Sequence, residues 1–87
     1  MNLTLHKPEI ISFIKSEKKR AEEELAFRED SERVWRDGRS TEWKAAGCRM
    51  TPAKRLKISA IHGRIAVKTR RRIELLNVIL ERLEHYP

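Results

Sequence analysis

Ten lysine and arginine side chains between Trp43 and Ile73 are the residues whose types and spacing best suggest chemistry. No Asp or Glu interrupts them. Residues 1–42 hold nine basic and ten acidic residues, and residues 74–87 hold one and three, so the net charge of +7 comes from about a third of the chain. A positive field this local attracts a polyanion or an acidic protein surface. The ten residues are Lys44, Arg49, Lys54, Arg55, Lys57, Arg64, Lys68, Arg70, Arg71 and Arg72.

Phosphate is the commonest counterion for such a group. Arginine contacts phosphate through a forked guanidinium and lysine through a point charge, and each contact releases condensed cations from a nucleic acid. We therefore predict that these ten residues bind nucleic acid, DNA or RNA. Trp43, which adjoins Lys44, is a candidate for base stacking or for anchoring a partner. The alternative is that Trp35 and Trp43 both pack at the end of the helices.

An acidic protein surface is the competing partner. On this hypothesis the chain is an adaptor or inhibitor whose basic helix docks on a larger protein. The long first helix of mixed charge favours it, because a simple DNA binder has little use for that helix. In either case we expect a small accessory or regulatory protein.

The remaining reactive side chains do not form a catalytic or metal-binding pattern. Three histidines and Cys48 lack ligand spacing, so neither a metal nor a cofactor is predicted. Cys48 has no His or acid in a catalytic arrangement, and we predict a non-enzyme without a small-molecule substrate. A single cysteine excludes an internal disulfide framework and favours the cytoplasm. We expect no signal peptide and no membrane partner, since no apolar run approaches about 20 residues.

A first long helix is predicted over residues 8–37. Pro8 suits a first helical turn, and Ile10, Phe13 and Ile14 begin an apolar stripe. The next ten residues are almost entirely polar, and pairs four apart, such as Glu24–Arg28, support the helix. Asp37 and Gly38 are a typical helix end, with glycine in the left-handed conformation.

A bent connection is predicted over residues 38–51, with a short helix that Ser40 or Thr41 begins and Gly47 ends. Thr51 followed by Pro52 is a typical helix start, and a second long helix is predicted over 52–85. Aliphatic residues and one threonine recur in it at spacings of three and four. This aliphatic stripe consists of Ile58, Ile61, Ile65, Thr69, Ile73, Leu76, Leu80 and Leu83.

The fold class predicted from these elements is all-α. Residues 1–87 form a single helical domain, an antiparallel hairpin of two long helices with a short intervening helix. Such a hairpin has little core, so we expect a homodimer with a four-helix arrangement. The alternative is a compact three-helix domain, with the last helix broken at Gly63.

The basic residues fall mostly off the aliphatic stripe. At 100° per residue, Lys57, Arg64, Lys68 and Arg71 share one line on the last helix, which we call the basic ridge. Arg70 and Arg72 lie beside the stripe and at its edge, where an interface role is the alternative.

Residues 65–73 partly resemble the turn and recognition helix of a helix-turn-helix. Gly63 falls in or near the place of the turn. Arg72 and Ala66 depart from that pattern, at positions that usually hold an apolar residue and a glycine. We infer no family from this resemblance.

Overall fold

The described part of the chain is all-helical, as predicted, and two long helices account for most of it. The computed structural model describes residues 6–39, 41–45 and 51–85, with only the backbone of residues 42 and 43. Helix α1 spans Lys7–Arg36, α2 spans Thr41–Ala45 and α3 spans Pro52–His85. These described ranges contain no β-strand.

The ends of α1 follow local rules. Pro8 lies in the first turn and Glu9 adds the only acid there, which favours the positive end of the helix dipole. At the other end Gly38 has φ of 70°, a left-handed conformation that glycine adopts without strain. The Gly38 N–H donates to the Trp35 oxygen at 3.3 Å and the Arg39 N–H to the Val34 oxygen at 2.9 Å. These two bonds form a Schellman cap, and they confirm the predicted helix end.

Helix α3 begins where Thr51 and Pro52 predict it. The Lys54 N–H donates to the Thr51 hydroxyl oxygen at 3.2 Å, a side-chain N-cap. The helix then continues through Gly63 to His85. The alternative of a break at Gly63 is therefore wrong, and the residues that resemble a helix-turn-helix contain no turn. One glycine costs only about 1 kcal/mol of helix propensity, which the packing described below outweighs.

The two long helices lie side by side in opposite directions. Contacts further along α3 reach residues nearer the start of α1, apart from the pair of Arg70 with Glu29, so the ends near the connection meet and the free ends meet. The contacts in order are Arg55 with Trp35 and Arg36, Ser59 with Glu32, His62 with Arg28, Arg72 with Glu17, and Lys15 with Glu84. The molecule measures 57 × 21 × 19 Å.

The face of α3 that meets α1 is rotated from the predicted aliphatic stripe. Of its buried residues, Thr69 and Leu80 belong to the stripe and Ser59 and Ala66 lie to one side of it, whereas Ile61 of the stripe is 49% exposed. Small side chains let the α1 backbone approach closely, and the Ser59 hydroxyl donates to the Glu32 main-chain oxygen at 2.7 Å. Larger aliphatic side chains would hold the helices further apart. Part of the stripe therefore lies on the flank of the helix pair instead of in its core.

The connection is only partly described. Residues 40 and 46–50 lie outside the described ranges, so the cap at Ser40, the helix end at Gly47 and the environment of Cys48 and Arg49 stay predictions. The division into one domain over residues 1–87 also stays a prediction. Within the described ranges, no helix is both long and apolar enough to cross a membrane.

Candidate nucleic-acid interface

The basic ridge lies on the side of α3 that points away from α1. Its direction is about half a turn around the helix from the buried residues Ser59 and Ala66. All four side chains of the ridge are exposed, and none makes a hydrogen bond or ion pair with another residue that the structure describes. The positive charges of the ridge are therefore directed to solvent.

The ridge is straight and has a defined length. Lys57 and Arg71 are fourteen residues apart, which corresponds to about 21 Å along the helix axis. One strand of B-DNA advances 3.4 Å per phosphate along the duplex axis and winds around that axis, so neighbouring phosphates lie further apart than 3.4 Å and a straight ridge of this length meets fewer than six of them. Four cations over that distance match the charge spacing of a nucleic-acid backbone well enough for several simultaneous contacts.

Two other residues of the predicted nucleic-acid-binding set form ion pairs with α1. Arg70 forms an ion pair with Glu29 at 3.4 Å, and Arg72 forms one with Glu17 at 3.0 Å. They lie on opposite flanks of the helix pair. Both residues therefore lie at the interface between the helices. This is the alternative role that the sequence suggests for them, because they lie beside the aliphatic stripe or at its edge. Their charges are partly neutralised within the chain.

Arg55 also contacts α1, but through main-chain oxygens. Its Nη1 donates to the oxygen of Trp35 at 3.3 Å and to that of Arg36 at 3.0 Å. A guanidinium at the C-terminal end of a helix satisfies free carbonyl groups and favours the negative end of the helix dipole. Arg55 is half-buried there, so it belongs to the packing of the helix ends and not to the exposed ridge.

The remaining predicted residues lie near the connection. Lys54 and Lys44 are exposed, on the first turn of α3 and at the end of α2 respectively. Arg49 and the side chain of Trp43 lie outside the described parts of the structure. Trp35, by contrast, is buried with 8% exposure, as its alternative role in packing requires.

The acids that the structure describes lie away from the ridge. Helix α1 has eight basic and eight acidic residues, whereas α3 has nine and three. The described acids that form ion pairs do so with Arg20, Arg28, Arg33, Arg36, Arg39, Arg70, Arg72 and Lys15. Since none of these partners belongs to the ridge, its field is not cancelled by a contact within the described chain.

Two exposed aromatic residues were missed as surface features. Phe13 is 65% exposed, although it belongs to the apolar stripe predicted for the first helix, and Phe27 is 56% exposed. The Phe27 ring meets His62 edge-on at 6.1 Å, and the Arg28 guanidinium lies 5.3 Å from the ring centre. A signal for them exists in the sequence, because Phe13 and Phe27 are fourteen residues apart and therefore share one side of a helix.

Neither the described residues nor the comparisons indicate another type of site. The described His, Asp and Glu residues form no group of three that could hold a metal ion. No protein-family model, curated protein or solved structure matches the chain. The basic ridge is therefore the feature of the described chain that can support a function.

Proposed function

We propose that this protein binds nucleic acid through the phosphate backbone, as a small non-enzymatic accessory or regulatory factor of the cytoplasm. The observation that carries the proposal is the basic ridge, in which four exposed cations without a described partner follow one line directed away from α1. Lys54 and Lys44 extend the positive surface towards the connection. An ordinary solvated helix face has charges of both signs, whereas α3 has no acid before Glu74.

The composition of α3 favours a duplex over a single strand. Binding of single strands uses aromatic side chains on which bases stack, and residues 52–85 contain no Phe, Tyr or Trp. Phosphate contacts alone position a protein on a duplex without reading its sequence. We therefore propose binding with little sequence preference. Trp43 remains the candidate for a stacking contact.

We also propose that the protein acts as a homodimer with a four-helix arrangement. The support is the shortage of core, since only five hydrophobic residues among those described are buried, namely Ile14, Ala21, Trp35, Ala66 and Leu80. Small helical chains commonly gain the missing burial by association.

The test is a binding titration by fluorescence anisotropy with duplex DNA, single-stranded DNA and RNA over a series of salt concentrations. Four phosphate contacts predict that log K falls with log salt with a slope of about −3.6 for a duplex. The variant Lys57→Glu/Arg64→Glu/Arg71→Glu should weaken duplex binding at least 100-fold, on the order of three lost contacts and three repulsions. Lys68 is unchanged in this variant because it also adjoins exposed aliphatic residues.

The matched control places the same charge change elsewhere. Lys18→Glu/Lys19→Glu/Arg82→Glu alters three cations that lie off the ridge and make no ion pair among the described residues. Both variants have the same net charge, so a loss confined to the first variant supports the ridge. Equal losses in both would mean that net charge alone drives binding. Wild-type protein that binds none of the three nucleic acids near physiological salt would refute the proposal.

An acidic protein surface is the second candidate partner. It is favoured by the exposed Val67 and Leu75, which lie close to the ridge and would contact a protein but not a phosphate. Failure to bind all three nucleic acids, together with capture of an acidic protein by wild type but not by the ridge variant, would establish this alternative.

A further inference from the structure

One flank of the helix pair has apolar ends and a charged middle. On α1 it is formed by a row of residues at spacings of three and four, which lie on one side of the helix. The exposed Phe13 begins the row and the exposed Phe27 lies near its end, and three charged residues lie between them. Its members are Phe13, Glu17, Arg20, Glu24, Phe27 and Ser31.

Helix α3 contributes a second row with the same order. Ile61, which is 49% exposed, and Leu75, which is 60% exposed, lie towards its ends, and two cations lie in the middle. The ion pair between Glu17 and Arg72 joins the two rows at 3.0 Å and shows that they lie on the same flank. The members of this row are Ile61, Ile65, Lys68, Arg72, Leu75 and Ile79. We call the two rows together the banded face.

The bands of the two rows lie at matching levels because the helices are antiparallel. Phe27 contacts His62, next to Ile61, so these residues form an apolar patch near the connection. Phe13 and Leu75 lie on the other side of the Glu17–Arg72 pair, towards the free ends. Between the patches, Glu17, Arg20 and Glu24 line one groove together with Arg72. The banded face is therefore apolar, then charged, then apolar along its length.

We propose that the banded face binds a second copy of this chain. The exposed area of the protein supports an occupant as large as a second copy. The protein exposes 6995 Å², whereas a compact monomer of this mass exposes about 5,400 Å². The difference of about 1,600 Å² exceeds the roughly 800 Å² that each partner of a standard interface buries. This inference rests on the homodimer of the proposed function and adds its surface and orientation.

Charge selects one of the two closed ways to pair the faces. In the first arrangement, α1 lies on α1 of the other copy and α3 lies on α3. Lys68 and Arg72 would then meet the same cations of the other copy, and the two strongly basic α3 helices would repel each other. If α1 of each copy lies on α3 of the other, with the two-fold axis parallel to the helices, Glu17 and Glu24 meet cations instead. Apolar patches meet in both cases. The second arrangement therefore has complementary charges and places both connections at one end.

The basic ridge stays accessible in this arrangement. It points away from α1 along the edge of the helix pair, whereas the banded face lies on the flank. The two-fold axis then directs the two ridges to opposite edges of the four-helix assembly. Dimerisation and phosphate binding thus use neighbouring parts of α3, and Lys68 and Leu75, which both lie close to the ridge, form the boundary between them.

The first experiment is sedimentation equilibrium without nucleic acid. Wild type should have about twice the chain mass of 10.3 kDa. Leu75→Glu should weaken the dimer at least 100-fold, on the order expected when a charge is buried in an apolar interface. The matched control is Val78→Glu, another exposed apolar residue of α3 that lies off the banded face, and it should change the dissociation constant less than about threefold. Circular dichroism should show unchanged helix content for both, since both wild-type side chains are exposed.

The orientation is tested by charge reversal. Glu24→Lys and Lys68→Glu should each weaken the dimer about tenfold, and the double variant should restore the wild-type dissociation constant within about threefold, because the pair is then reversed. A monomeric wild type, or a dimer that Val78→Glu disrupts as strongly as Leu75→Glu does, would overturn the assignment of this face. Single reversals without loss would overturn the orientation. Since no nucleic acid is present, these failures are distinct from a failure of the binding titration.

Discussion

The Nη1 atom of Arg55 lies 3.0 Å from the main-chain oxygen of Arg36, where the start of α3 meets the end of α1. The same nitrogen is 3.3 Å from the oxygen of Trp35. One side chain thereby joins the two long helices at the connection. It also satisfies the Arg36 carbonyl group, which the end of α1 leaves without a helical partner.

Replacement of this residue should lower stability much more than it lowers nucleic-acid binding. Arg55→Ala removes charged hydrogen bonds and a favourable charge at a helix end, and we expect the free energy of unfolding to fall by about 1–2 kcal/mol. The measurement is urea denaturation followed by circular dichroism at one fixed protein concentration, since association shifts apparent stability. The control is the neighbouring Lys54→Ala, an exposed residue expected to change stability by less than about 0.5 kcal/mol. Equal effects of the two substitutions would contradict the capping role.

Adjacent arginines should differ in their contribution to binding. Arg71 is exposed on the basic ridge, whereas Arg70 forms an ion pair with Glu29 at 3.4 Å. We expect Arg71→Ala to reduce the salt slope of duplex binding by about 0.9, one phosphate contact, and Arg70→Ala to change it by much less. The ion pair itself is half exposed, so its loss should cost only about 0–1 kcal/mol of stability. The two variants have the same charge, and anisotropy titrations over a salt series compare them directly.

A larger effect from Arg70→Ala than from Arg71→Ala would place the phosphate contacts on the flank of the helix pair. It would then be the interhelical arginines, and not the ridge, that bind nucleic acid. Equal slopes would indicate binding to net charge without a defined surface.

The helix ends could be predicted from the sequence because their causes are local. The capping effect of Thr51 with Pro52, and that of Asp37 with Gly38, depends on contacts within about four residues of the chain. The two long helices lie at Lys7–Arg36 and Pro52–His85, close to the predicted bounds of 8–37 and 52–85. Hydrogen bonds at the Thr51 and Gly38 positions show why these signals are reliable.

The side of α3 that meets α1 could not be predicted in the same way. The aliphatic stripe is the most regular feature of its sequence, yet Ser59 and Ala66 are buried and Ile61 is half exposed. Which side packs depends on how closely a second helix approaches, and that distance is a property of the pair. The ion-pair partners of Arg70 and Arg72 could not be predicted either, because Glu29 and Glu17 are distant from them in sequence. The ridge could be assigned from spacing alone, whereas its lack of partners needed the structure.

Gly63 lies beside the Glu32 side chain of α1, and it offers a test of the packing between the two helices. A Cβ atom built on Gly63 would lie 3.0 Å from Glu32 Cδ and 3.1 Å from its carboxylate oxygens. The contact is with the end of a flexible side chain, which can turn towards solvent at small cost. Because alanine favours a helix by about 0.8–1.0 kcal/mol over glycine, we expect Gly63→Ala to raise the free energy of unfolding by about 0.5 kcal/mol. Gly63→Leu should instead lower it by about 1–3 kcal/mol, since a larger side chain would force the helices apart.

The pair of substitutions separates the two possible roles of this glycine. If Gly63 were only a weak point of an exposed helix, both replacements would stabilise the protein, as leucine is nearly as good a helix former as alanine. Opposite signs in urea denaturation, with the same protein concentration for each variant, are expected only if α1 approaches α3 closely at this position. Such a result would also support the packing of small α3 residues against α1, which leaves part of the aliphatic stripe on the banded face.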